Sequence, residues 1–215
     1  MTHAYQEIYL SKAQSILGDA FDYAINICII PGDSFVKLFV ASTISRRMEN
    51  GEPDYLAGKS GIEVAMDILV ETTGKAPEAL PQDHYGRSRE YWIGWALAYY
   101  QWSTSLSFAE INQAIPVTEV RMLYTPYHEM DIRQFVDKMN ELYREAKPET
   151  NLKELRTFAN LSQSELAQQS GVSVRTIQQY EQRRKDINKA QTETLLKIAR
   201  VLVCKVEDLV EKVPM

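Results

Sequence analysis

At 215 residues, with 45% hydrophobic and 25% charged side chains, the chain is long enough for two small domains and too apolar for intrinsic disorder. It contains no run of about 18 apolar residues, and Met1 to Leu10 carries neither a basic leader nor a signal-peptide core, so a cytoplasmic protein without membrane contact is expected. The formal net charge of -5 hides an asymmetry: residues 1–150 hold 13 basic and 21 acidic side chains, residues 151–215 hold 11 and 8, so a body at -8 carries a C-terminal piece at +3.

Apolar residues recur at three- and four-residue spacing and strict alternation is absent, which makes the expected fold class all-α. The spacing predicts helices over about 5–29, 34–49, 60–72, 88–103, 107–115, 117–124 and 129–146. Breakers separate them: Pro31-Gly32-Asp33, Gly51-Glu52-Pro53, the run from Lys75 to Gly86 with Pro77 and Pro81, Pro116 and Pro126. Asp33 or Ser34, Ser107 and Thr118 are the expected N-caps. The two cysteines, Cys28 and Cys204, each lie among apolar residues and are expected to be buried thiols rather than a disulfide.

Several fragments of this first region imitate chemistry. Gly58-Lys59-Ser60 looks like the end of a phosphate-binding loop, but the required first glycine would fall at Pro53, so a helix start is expected. His3, His84 and His128 are widely spaced, and His128-Glu129 with Asp131 lacks metal-ligand spacing. The segment Tyr91 to Trp102 is rich in aromatic residues, with Tyr91, Trp95, Tyr99 and Trp102 on one face. It suits a central core helix, hydrophobic nearly all round; the alternative is that Trp92, Trp95 and Tyr99 line a ligand pocket or partner surface. Gly94 and Ala98 would admit a close neighbouring helix on one side.

Glu145 to Thr150 is polar, contains Pro148 and precedes the change of charge sign. It is the expected linker between an all-helical domain at 1–147 and a second domain at 151–215. The second domain reads Leu152-Lys153-Glu154-Leu155-Arg156, then Leu161-Ser162-Gln163-Ser164-Glu165-Leu166-Ala167, then Ser170-Gly171-Val172-Ser173, then Val174 to Gln182. Ser162 and Glu165 have the spacing of a capping box that opens a helix, Gly171 suits a left-handed turn, and Ser173 can cap the next helix. Leu161, Leu166, Val172, Ile177 and Tyr180 are expected to face inward with Leu195, Ile198, Ala199, Leu202, Val206 and Leu209.

Over roughly residues 151–211 these motifs resemble the Xre-type helix-turn-helix family, the DNA-binding domains of phage repressors and Cro proteins. The resemblance implies a lambda-repressor-like five-helix domain and a sequence-specific transcriptional regulator. Such a protein binds double-stranded DNA, as a homodimer, with the helix at about 173–182 in the major groove. Position in the motif assigns base reading to Val174, Arg175, Thr176, Gln178 and Gln179, where Arg suits guanine and Gln suits adenine. It assigns phosphate contact to Gln163, Ser173, Arg183, Arg184 and Lys185, and a structural ion pair to Arg156 and Glu181. Family members commonly carry glycine just after the residue matching Glu181 and at the position of Val203. Left-handed backbone is therefore expected on non-glycine residues within Gln182-Arg183-Arg184 and at Val203. Residues 1–147 match no family of known activity, and dimerisation, effector sensing or partner binding are their expected roles. The rival reading is an antitoxin-type protein whose N-terminal domain holds a partner protein while the helix-turn-helix autoregulates its operon. No constellation of nucleophile, base or metal ligands is recognisable, so neither enzyme activity nor a cofactor or metal is expected.

Overall fold

The aromatic run from Tyr91 to Trp102 lies in the longest helix of a computed structural model that describes residues 3–79, 86–147 and 149–212. Pro81, His84 and Pro148 fall outside those residues. Among the described residues every regular element is helical, and the chain divides into two units, Met1–Tyr143 and Arg144–Met215. No described helix is long and apolar enough to cross a membrane.

In the first unit the helices are α1 (Leu10–Asp22), α2 (Gly32–Ala41), α3 (Thr43–Glu49), α4 (Gly61–Thr73), α5 (Arg89–Thr104), α6 (Phe108–Ala114), α7 (Val117–Met122) and α8 (Tyr124–Tyr127). Helix α9 (Ile132–Ala146) runs on to the start of the second unit. Helices α1 and α5 form the centre and run antiparallel, because their contacts pair in opposite order. The Ala4 N–H donates to the Trp102 carbonyl at 3.0 Å, the Gln14 amide to the Trp95 carbonyl at 3.5 Å, and the Ser88 hydroxyl to Asp22. Gly94 permits their contact: a Cβ there would sit 2.3 Å from the Leu17 carbonyl oxygen. Leu17, Phe21, Phe35, Phe39, Ile68 and Tyr100 fill the core around this pair.

Local chemistry explains most of the helix starts. Ser60 with Glu63 and Ser107 with Glu110 are reciprocal capping boxes, so Gly58-Lys59-Ser60 does open a helix and Ser107 caps one as expected. Elsewhere proline takes over. Pro31 and Pro116, not Asp33, Ser34 or Thr118, precede the first helical residues of α2 and α7, since a fixed φ suits a helix entrance.

The expected long helices are also interrupted. The 5–29 segment becomes a short turn at Glu7–Tyr9, α1, and a π-helical turn at Tyr23–Ile27, after which Ile29 turns left-handed at φ 56°. The 34–49 segment breaks at Ser42 because Glu71 of α4 reaches across to the Thr43 N–H and hydroxyl, at 2.6 and 2.8 Å, and so caps α3 from outside. A further π-helical turn forms at Asp54–Gly58, and α9 begins at Ile132, after the expected start at 129. Cys28 and Cys204 are free and only partly buried, a correction to the expected burial: each follows a helix end where the chain turns outward.

The second unit consists of α10 (Asn151–Phe158), α11 (Gln163–Ser170), α12 (Val174–Glu181), a 3-10 turn at Ile187–Lys189, α13 (Thr192–Leu202) and α14 (Val206–Leu209). Its core holds Leu166, Val172, Ile177, Tyr180, Leu195, Ile198, Ala199, Leu202 and Leu209, with Leu161 and Val206 packed on its edge, as the spacing predicts. Leu152, Ala167 and Ile187 join it. Burying a side chain such as Ile177 stabilises by about 1.5–3 kcal/mol.

Candidate nucleic-acid interface

Helices α11 and α12 are joined by Gly171, Val172 and Ser173. Ser162 and Glu165 close the capping box that starts α11, Gly171 ends it at φ 69°, and the Ser173 hydroxyl accepts the Thr176 N–H at 3.1 Å to start α12. Glu165 is held below the ordinary carboxylate range by the Ser162 hydroxyl and backbone N–H. The inner side of α12 is locked, with Ile177 fully buried and Tyr180 nearly so. Its outer side leaves Arg175 exposed and Thr176, Gln178 and Gln179 half-buried. Val174, expected at the bases, packs partly against the core, so only an edge of it faces outward.

A chain of hydrogen bonds runs beneath this face. Arg156 meets Glu181 through Nε–Oε1 at 2.6 Å and Nη2–Oε2 at 3.0 Å, and its Nη1 donates to the Leu161 carbonyl at 2.6 Å. The partner carboxylate raises the Arg156 pKa further above its already high value. Glu181 Oε2 also accepts from the Gln163 amide at 2.8 Å, and Gln163 Oε1 accepts from the Gln178 amide at 3.3 Å. Gln163, expected on phosphate, is thus partly committed inside the module and orients Gln178. The Ser173 hydroxyl is similarly engaged with the Thr176 hydroxyl at 2.8 Å.

The basic triplet after α12 divides. Arg183 stands at φ 50°, left-handed as expected for this stretch, and the Arg184 N–H reaches back to the Gln179 carbonyl at 2.9 Å to close the helix. The Arg183 side chain turns inward: Nη2 donates to the Lys147 and Glu149 carbonyls at 3.0 and 3.1 Å and lies 3.9 Å from Glu211. Part of the Arg183 guanidinium, expected on phosphate, is thus already held by carbonyl acceptors. Arg184 and Lys185 stay exposed. Val203 is left-handed too, at φ 52° and 92% exposed.

Reasoning from sequence missed the clasp that Arg183 joins. Glu211 accepts the Asn151 N–H at 2.7 Å, and Asn188 and Glu211 bond reciprocally at 2.7 and 2.9 Å. Thr150 caps α10 by accepting the Lys153 N–H, and its position just before the Leu152 repeat was the available signal.

In the first unit Trp92 and Trp95 are partly exposed beside a cleft, whereas Tyr99 parts from them and packs on Trp102 at 5.7 Å between ring centroids. Along the face that Tyr91, Trp95, Tyr99 and Trp102 share on the continuous α5, Tyr91 and Trp102 are buried and Trp95 and Tyr99 are only partly so.

A helix-turn-helix family model matches residues 152–209, all within the second unit. No curated protein and no solved structure matches the chain. Residues 152–209 are an Xre-type, lambda-repressor-like helix-turn-helix, and the remainder of the chain is unassigned.

Proposed function

We propose that the second unit binds double-stranded DNA sequence-specifically with α12 in the major groove, and that the protein is a transcriptional regulator acting as a homodimer in the cytoplasm. The reading rests on the two-sidedness of α12: Ile177 and Tyr180 are 0% and 3% exposed, while Arg175 stands in solvent within the first turn of the helix. A guanidinium so placed suits guanine O6 and N7, and the amide of Gln179 suits adenine. Arg184 and Lys185 lie where phosphates flank such a helix and would set register and salt dependence. Dimerisation supplies the contact area that one small module lacks. The role includes no catalysis and no cofactor.

The test is selection of fragments from the native genome by the purified full-length protein, followed by sequencing. Recovery of a shared, inverted-repeat site is expected; retained fragments with no common sequence would overturn the reading.

A second reading, an antitoxin-type protein, draws on the first unit, where Ile8, Ile29 and Met122 stand 81%, 75% and 78% exposed. Isolation from native cells with a stoichiometric second protein on that unit favours it.

A further inference from the structure

In the first unit a cleft of about 270 Å³ opens between the start of α5 and the segment from α8 to Ile132. Its walls are largely aromatic: Trp92 and Trp95 from α5 face Tyr124 and Tyr127 from α8. The rings are braced from behind. Trp92 meets Tyr124 edge-on at 5.5 Å and the buried Phe135 at 5.2 Å, and Tyr124 stacks on His128 at 4.3 Å. Neither indole N–H of Trp92 or Trp95 has a hydrogen-bond partner among the described residues.

The polar lining is one-signed. Arg87 stands at the rim with its guanidinium over the Tyr91 ring at 4.9 Å, and it pairs with no carboxylate of the described residues within bonding distance. Asp19 feels its charge only from farther off. Among the described residues no Asp or Glu lines the cleft; Glu129, 3.6 Å from His128, is 86% exposed and points to solvent.

We infer that this cleft is a binding site for a small aromatic carboxylate, whose ring lies among Trp92, Trp95, Tyr124 and Tyr127 and whose anion meets Arg87. Flat ring walls favour a flat π-ligand through stacking. A guanidinium stacked on a ring keeps its edge free for a carboxylate, the geometry in which such pairs are strongest. The volume lies just below the usual range for small-molecule sites, roughly 300–1,000 Å³, which limits the ligand to one or two rings. An aromatic cage for a cation would need a neutral or acidic rim, and Arg87 supplies the opposite. The assignment stands on the first unit alone and is independent of DNA reading.

The experiment follows tryptophan emission of the full-length protein, in the absence of DNA, as matched probes are added. The chain has three tryptophans, and Trp102, whose indole N–H is bonded to the Tyr5 carbonyl, lies away from the cleft, so Trp92 and Trp95 report on it. The probes are 4-hydroxyphenylacetate, its amide, tyramine and cyclohexylacetate. Saturable change with 4-hydroxyphenylacetate is expected, with binding weaker by about tenfold for the amide and for cyclohexylacetate, and none with tyramine. Arg87→Gln, a change at an exposed side chain, should weaken the acid by about tenfold and leave the amide unchanged. Trp95→Leu should remove binding, with an unchanged melting temperature as the check on folding. No saturable response at millimolar acid, equal binding of acid and amide, preference for tyramine, or an Arg87→Gln protein that binds like the parent would each overturn the assignment.

Discussion

Arg156 and Glu181 face each other through two parallel hydrogen bonds of 2.6 and 3.0 Å, with their side chains 12% and 3% exposed. At that depth neither charge is hydrated if its partner leaves. Arg156→Ala should cost about 3–5 kcal/mol, whereas replacing both residues by apolar ones of similar volume should cost far less. Urea unfolding followed by circular dichroism measures this; equal losses in the single and double variants would refute the buried-pair account. Because Gln163 hangs on Glu181 and Gln178 on Gln163, the single variant should also blur base preference in protein that remains folded.

For the reading face, Arg175→Ala and Gln179→Ala should each lose about 1–3 kcal/mol of discrimination at particular base pairs, with stability nearly unchanged. Competition binding against single-base variants of the selected site measures it. An unchanged preference in both would remove α12 from the groove.

The basic triplet offers a sharper separation. Neutralising Arg184 or Lys185 should lower the slope of log affinity against log salt by about 1 each. Arg183→Ala should leave that slope alone and lower stability, because its guanidinium is spent on the Lys147 and Glu149 carbonyls. A slope change for Arg183→Ala equal to that of Arg184→Ala would return it to the phosphates.

The two left-handed turns at Gly171 and Val203 differ in what occupies them. A β-branched residue at φ 52° is strained by about 1–2 kcal/mol, and glycine's greater freedom when unfolded returns part of this. Val203→Gly should therefore stabilise by about 0.5–1 kcal/mol, with nothing lost in packing since Val203 is 92% exposed. Gly171→Val should destabilise through backbone strain alone, since no atom lies within 4 Å of the added Cβ. Thermal melts of the two variants check the opposite signs.

Glu165 gives a pH dependence. Its folded pKa lies below the ordinary 4.5, so its contribution is present above that value and is lost as the pH falls through the folded one. The parent should exceed Glu165→Gln in stability at neutral pH and lose the advantage in acid. A difference independent of pH would contradict the cap's dependence on charge.

What could be read from the amino acids alone was whatever is local. The Ser162–Glu165 box, the Gly171 turn and the apolar spacing of α11, α12 and α13 each depend on residues a few positions apart, and together they define the helix-turn-helix. The break at Ser42 was invisible because its cause, Glu71, comes from another helix. Arg183 looked like a phosphate ligand because three adjacent cations carry no sign of which one turns inward. Likewise, the separation of Tyr99 from Trp92 and Trp95 depends on where α8 folds back, which helical periodicity does not encode.

The inward turn of Arg183 also ties two places that the chain keeps far apart. Arg183, just past the end of α12, holds the Lys147 and Glu149 carbonyls that precede α10. Removing that one guanidinium would therefore loosen both places at once.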